Sequence, residues 1–270
     1  MARESVDRDR TVAAVDEEYA AILSLAEGLS AEDWGLPTAC PGWSVKDNVV
    51  HVLGTEAMLL GRPTPEVVLP GDLPHVRNDI GRFNERWVEA YRSRPPGDVM
   101  AGVREVVGAR RVALAGMDQA AFDAETATPA GPDTYGRFMR IRTMDMWVHE
   151  QDVRQAVGRP GHEGGLAPAA ALDEMTLALG FVVGKRAAAP AGSTVRFELT
   201  GPSGRRIDVE VGDRARVVEA VAGTPTVTLT MPALLFTRLC CGRGPDPSGV
   251  RVEGDVGLGR AVVAGLGYMI

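Results

Sequence analysis

Apolar residues in the first half of the chain recur at helical spacing. Val15, Tyr19, Ile22 and Leu23 fall at i, i+4, i+7 and i+8 in a polar background, which predicts an amphipathic helix over residues 8–28. Ser30 followed by Asp33 marks a turn, and Pro37 and Pro41 keep the next stretch extended. Ser44, with Asp47 three residues on, has the form of a capping box, and Val45, Val49, Val50 and Val52 follow it. A second helix therefore starts there, with His51 about two turns inside it. Pro63, Pro65, Pro70 and Pro74 predict an irregular connection or lid over 62–76. Helical pattern returns over 77–93, stops at Pro95, Pro96 and Gly97, and resumes over 98–117. After a loop with Pro129, Gly131 and Pro132, a last helix carries Phe138, Ile141, Met144, Asp145, Trp147, Val148 and His149 and ends near Gly158. Long helices with modest connections predict an antiparallel four-helix bundle, an architecture that houses metal sites on facing helices.

The period changes after the glycine-rich run Gly161-His162-Glu163-Gly164-Gly165. This predicts a boundary between a helical bundle over 1–160 and a small α+β domain over 161–270. The second part reads as a helix over 167–186, then alternating strands over 194–199 and 206–211 joined by a turn at 201–204. A third strand over 226–230 follows, then a helix over 231–241 entered through Pro232, a strand over 250–253, and a last helix capped by Asp255. The fold class is α+β.

Composition narrows the function. The chain has 270 residues, 45% of them hydrophobic and 24% charged, as in an ordinary globular protein. A net charge of -7 argues against a general nucleic-acid binder. The charged N-terminus lacks the apolar core of a signal peptide, and no later run reads as a transmembrane helix. Cys40, Cys240 and Cys241 are few and odd in number, which speaks against a disulfide framework and for a reducing cytoplasm. A cytoplasmic protein without nucleic-acid or membrane partners is expected, as a monomer or homodimer. Lys46 and Lys185 are the only lysines, an arginine bias that suggests a high-GC bacterial genome.

The candidate chemistry is a split constellation. Asp145 and His149 are four residues apart, so they share a helix face and can point at one ion, and His51 lies on another helix. Two imidazoles and a carboxylate are a common ligand set for a catalytic zinc. Three polar groups placed mid-helix without partners would cost about 1–3 kcal/mol each, and a shared metal would satisfy them together. The competing reading is that each histidine is packed and bonded to a neighbour. Asp152 reads as an outer partner of His149 or an alternative ligand, and the competing reading is a solvated helix charge or a salt bridge to Arg142 or Arg154. Cys40, before Pro41 near a helix start, reads as a small apolar residue in a turn, with no partner base evident.

Two segments carry a family resemblance. Trp34 and the run Pro37-Thr-Ala-Cys-Pro-Gly-Trp43-Ser-Val-Lys-Asp-Asn-Val-Val-His51-Val-Leu-Gly resemble the N-terminal segment of the mycothiol-dependent maleylpyruvate isomerase family, within the DinB-like bundle superfamily. The run from Arg142 through Asp145 and His149 to Val153 resembles that family's second metal motif. Cys241-Gly-Arg243-Gly and Val252-Glu-Gly-Asp255 are similar to its small C-terminal domain, itself like sterol-carrier proteins.

The resemblance implies that His51, Asp145 and His149 hold zinc, with an aspartate where the founding isomerases have a glutamate. It also implies mycothiol as cosubstrate, in an actinobacterial setting. Thiol addition to an activated double bond, rotation and elimination would isomerise a small electrophile. Addition without elimination would be S-transfer or conjugation. A zinc hydrolase using activated water and a non-catalytic module sheltering a small ligand are the alternatives. Arg82 and Arg243 are the candidate cations for an anionic substrate.

Overall fold

Ser44 caps a helix as the sequence predicts: its hydroxyl accepts from Asp47 N, and the Asp47 carboxylate accepts from Ser44 N at 2.9 Å. The computed structural model describes residues 5–244 and 246–269, and the chain divides after Gly161 into two units. The first holds α1 (Arg8–Glu27), α2 (Val45–Leu59), α3 (Asp79–Arg92), α4 (Pro96–Ala115), a short α5 (Gln119–Asp123), a hairpin of β1 (Glu125–Thr128) and β2 (Gly131–Thr134), and α6 (Tyr135–Ala156). The loop expected around Pro129 and Pro132 is this hairpin, whose four-residue strands carry too little alternation to register in the sequence.

The bundle is formed by α1, α2, α4 and α6, with α3 packed on α2. Side-chain contacts give the helix directions. Arg159, just past the end of α6, donates to Gly28 O at the end of α1 at 2.7 Å, so these two helices run parallel. Arg8 donates to Leu114 O and Arg104 to Glu27, which makes α1 and α4 antiparallel. Along α2 and α4, Leu53 lies against Gly102 and Glu56 meets Arg110, so this pair is also parallel. Around the bundle the order is α1, α6, α2, α4, which puts α1 and α2 on opposite corners. The connection over 28–44 must therefore cross one end of the bundle. Trp34 and Trp43 pack from it into the main apolar cluster. Leu29 and Leu36 close a smaller cluster with Leu25, Val45 and Val153.

The second unit opens with α7 (Leu166–Thr176), α8 (Leu179–Phe181) and a π-helical turn over Val182–Arg186. It continues with β3 (Thr194–Thr200), β4 (Arg205–Val211), β5 (Ala215–Val218), β6 (Val227–Pro232), α9 (Ala233–Cys240), β7 (Arg251–Gly254) and α10 (Val256–Gly265). The sheet order is β5-β4-β3-β6-β7, antiparallel except where β3 and β6 run parallel. Two expectations change. The helix expected over 167–186 is a helical stretch over Leu166–Arg186 that is interrupted at 177–178 and ends in the π-helical turn; Gly180 and Gly184 lie directly on β5, where a Cβ on Gly180 would sit 2.7 Å from Ala215 O. That stretch is also long and apolar enough to cross a membrane by length and composition, contrary to the sequence reading. Half of its apolar window is buried within the protein, however, and it carries Asp173 and Glu174.

All four bundle helices converge on one carboxylate. Glu56 of α2 is 1% exposed; its Oε2 accepts from Arg110 Nε of α4 at 2.9 Å and from the Tyr19 hydroxyl of α1. Its Oε1 accepts from Arg142 of α6 through Nε at 3.1 Å and Nη2 at 3.0 Å. Arg110 also donates to the Tyr135 hydroxyl at 3.0 Å. Burial alone would raise the Glu56 carboxyl, but the two guanidinium groups outweigh it and hold the residue below its ordinary range. Glu56→Gln leaves two buried guanidinium groups short of their shared anion. The expected destabilisation is about 3–5 kcal/mol, read from urea unfolding; a loss below about 1 kcal/mol would show that the network does not hold the bundle together.

Candidate metal centre

The antiparallel packing of α2 on α6 brings His51, Asp145 and His149 to one place. One ligand atom from each lies within 4.8 Å of the others. His51 Nε2 is 2.9 Å from Asp145 Oδ2, and His149 Nε2 is 3.5 Å from Asp145 Oδ1. The imidazole centroids are 4.7 Å apart, and the Trp43 indole packs on both, at 5.2 Å from His51 and 5.5 Å from His149. Both histidines are buried, while the Asp145 side chain stays 33% exposed. An open cavity of about 590 Å³ shares Trp43 with this cluster and is lined also by Trp34, Thr38, Lys46, Asp47 and Arg92.

Sequence reading missed three partners. Arg142, one turn before Asp145, contacts Asp145 Oδ2 as well as Glu56, so a single guanidinium joins the bundle network to the centre. Asn48, one turn before His51, accepts from His149 Nδ1 at 2.7 Å. Trp43 forms the aromatic cover. The only available signal was spacing, since Asn48 and His51 are three residues apart, as are Arg142 and Asp145.

The remaining candidates fall as follows. Asp152 is 3% exposed, with Oδ2 3.5 Å from His149 Nδ1, so its outer-partner reading agrees with the geometry and the solvated-charge reading does not. Cys40 groups with His149 and Asp152, ligand atoms again within 4.8 Å, although sequence reading found it no partner. Arg82 is exposed on the first turn of α3. Arg243, in the second unit, donates to Cys241 O at 3.2 Å.

The donor set fits a divalent metal. Zinc bonds of about 2.0–2.1 Å in a tetrahedron place neighbouring ligand atoms about 3.3 Å apart. The observed 2.9 and 3.5 Å run to different oxygens of Asp145, so one histidine meets each carboxylate oxygen, and one ligand atom from each of the three residues lies within 4.8 Å of the others. Protonation also suits coordination. Burial holds the His51 imidazole below its ordinary value of 6.5, against the pull of Asp145, so the neutral, ligating form prevails at neutral pH. Burial would raise the Asp145 carboxyl, but His51 and Arg142 together hold it well below 3.8. His51 Nδ1 and Trp43 Nε1 are buried without a hydrogen-bond partner among the described residues.

Comparison with known proteins gives the following. The sequence model of the mycothiol maleylpyruvate isomerase N-terminal domain matches residues 15–154, and that of the MDMPI C-terminal domain matches 169–261. An uncharacterized protein of Mycobacterium tuberculosis, present in two strains, is 26% identical over 184 residues, which cover 67% of this chain and 69% of the relative. A crystal structure of the mycothiol-dependent maleylpyruvate isomerase aligns with a TM-score of 0.59 at 16% identity, covering 95% of this chain and 98% of that one. A histidine-to-alanine mutant of that enzyme aligns with a TM-score of 0.55 over the same shares. At this identity the likeness to the solved structures is one of fold.

The Asp145 carboxyl titrates lower in the folded chain than in the unfolded one. Its ionic contacts therefore stabilise the fold above 3.8 and are lost as pH falls through the folded value. In chelator-treated protein, the stability gap between the parent and Asp145→Asn is expected to be present above 3.8 and to close in acid. Urea unfolding across a pH series measures it. A gap of constant size into strong acid would mean that the carboxylate's charge contributes nothing.

Proposed function

Because this chain belongs to the mycothiol maleylpyruvate isomerase family, we propose that it is a zinc-dependent enzyme that uses the low-molecular-weight thiol mycothiol to act on a small electrophile. The observation that carries this reading is the convergence of His51, Asp145 and His149 from two facing helices. Bound there, zinc supplies a Lewis acid that lowers a thiol's pKa and keeps the thiolate in place.

The chain's own residues do the rest. His51, kept neutral by burial, and His149 offer nitrogen donors, and Asp145 offers an ionised carboxylate whose orientation Arg142 restrains. Trp43 covers both imidazoles with apolar surface and keeps bulk water off that side. The cavity it borders has the size of a small-molecule site. In the isomerisation, the thiol sulfur bonds to one carbon of an activated double bond and a proton is taken up at the other. Rotation occurs about the resulting single bond, and loss of the thiolate and one proton, which together restore the thiol, gives the trans isomer. Stopping after addition would give S-transfer or conjugation. Arg82 and Arg243 are assigned to recognition of an anionic substrate.

Purified protein is expected to hold about one zinc per chain, and His51→Ala or His149→Ala to weaken zinc binding by at least about 100-fold, beyond the usual cost of losing an outer partner. Equal metal content in parent and variants would remove the site. Maleylpyruvate with and without added mycothiol is the activity probe. Turnover that needs the thiol supports the reading, and equal turnover without it points to water as nucleophile. Charge reversal at Arg82 or Arg243 is expected to raise KM with zinc content unchanged; unaltered kinetics would withdraw that residue from substrate recognition.

A further inference from the structure

We infer that Asn48 is a positioning residue that fixes the tautomer of His149, so that Nε2 presents a bare lone pair to the metal centre; this rests on the metal-centre reading above. Hydrogen-bond obligations run inward from two backbone carbonyls, which can only accept. Trp43 O accepts the Thr38 hydroxyl at 2.9 Å, so Thr38 Oγ1 serves as acceptor to Cys40 N at 3.2 Å and to Asn48 Nδ2 at 3.0 Å. Ser44 O accepts from the same Asn48 nitrogen at 2.8 Å. Both amide hydrogens are thereby placed. Turning the amide over would set Asn48 Oδ1 against the Ser44 carbonyl, two acceptors face to face.

The oxygen is left facing His149 Nδ1 at 2.7 Å, and Asn48 is fully buried, so no water competes for it. Because Oδ1 can only accept, Nδ1 must carry the hydrogen. Asp152 Oδ2, 3.5 Å from the same nitrogen, favours the same assignment. In the neutral ring Nε2 is then unprotonated and faces Asp145 Oδ1 at 3.5 Å.

The two histidines are therefore not equivalent. His149 is set in advance through a relay from Thr38 through Asn48, whereas His51 Nδ1 has no hydrogen-bond partner among the described residues. Thr38 also hydrogen-bonds within the loop that carries Cys40 and Trp43, so loop and imidazole are ordered by one set of bonds.

The test uses full-length protein in two measurements. Long-range proton–nitrogen correlation spectra of the metal-free protein should show His149 with hydrogen on Nδ1 in the parent. Asn48→Ala should show a mixture of tautomers. Zinc affinity, measured against a chromophoric chelator, should fall about 10–100-fold in Asn48→Ala. Should Asn48→Ala fail to fold, Thr38→Val, which frees one amide hydrogen, should give a smaller loss in the same direction. Hydrogen on Nε2 in the parent, or parental tautomer and affinity in both Asn48→Ala and Thr38→Val, would overturn the inference. If the parent binds no zinc, the metal reading fails, while the tautomer spectrum still decides the role of Asn48.

Discussion

Two guanidinium groups taken out of water need a shared anion, and that requirement governs the helical unit. Glu56 answers Arg110 and Arg142 at once, with Tyr19 on the same oxygen as Arg110, so α1, α2, α4 and α6 are tied to one carboxylate. Apolar packing alone tolerates sliding of one helix along another, but charge-assisted hydrogen bonds of about 3 Å do not. The slide of α6 along α2 is the coordinate that separates His51 from Asp145 and His149. Glu56 lies five residues beyond His51 on α2, and Arg142 three before Asp145 on the opposing helix. The register of the buried ion pair is thus the register of the three candidate ligands.

Arg142 makes the coupling chemical as well as geometric. It serves Glu56 through Nε and Nη2 and meets Asp145 through Nη1. An aspartate has one methylene fewer than the glutamate that the resemblance implies at this place, and so less freedom to find its own position. Here the neighbouring guanidinium restrains it. The carboxylate that would bind metal is also kept ionised by the group that helps close the core.

Much of this could be read in the chain beforehand. The i, i+4 spacing of Asp145 and His149 survives folding because both lie on one uninterrupted helix, and the Ser44 capping box sets the start of α2 as it would in isolation. The β3–β4 hairpin follows from strict alternation around a glycine turn. What stayed hidden depends on contacts between elements. Helix α2 is buried on nearly every face, so no apolar stripe distinguishes Asn48 or Glu56 from its neighbours. The glycines of the stretch after Thr176 lie on β5, a short edge strand that sequence pattern does not reveal. Family resemblance, and not spacing, supplied zinc and the thiol.

The diagonal placement of α1 and α2 has an evolutionary consequence. Chain connectivity forces the segment over 28–44 across the end of the bundle, where it brings Trp43 over both imidazoles and Thr38 within reach of Asn48. The roof of the chamber is therefore a loop, while its floor is made of helix faces locked by buried charge. Loops accept new side chains and lengths far more readily than such faces do. Lineages that share this scaffold can vary the ceiling at positions other than Thr38 and Trp43, and so diversify what is admitted, without re-solving the problem of how the floor is held.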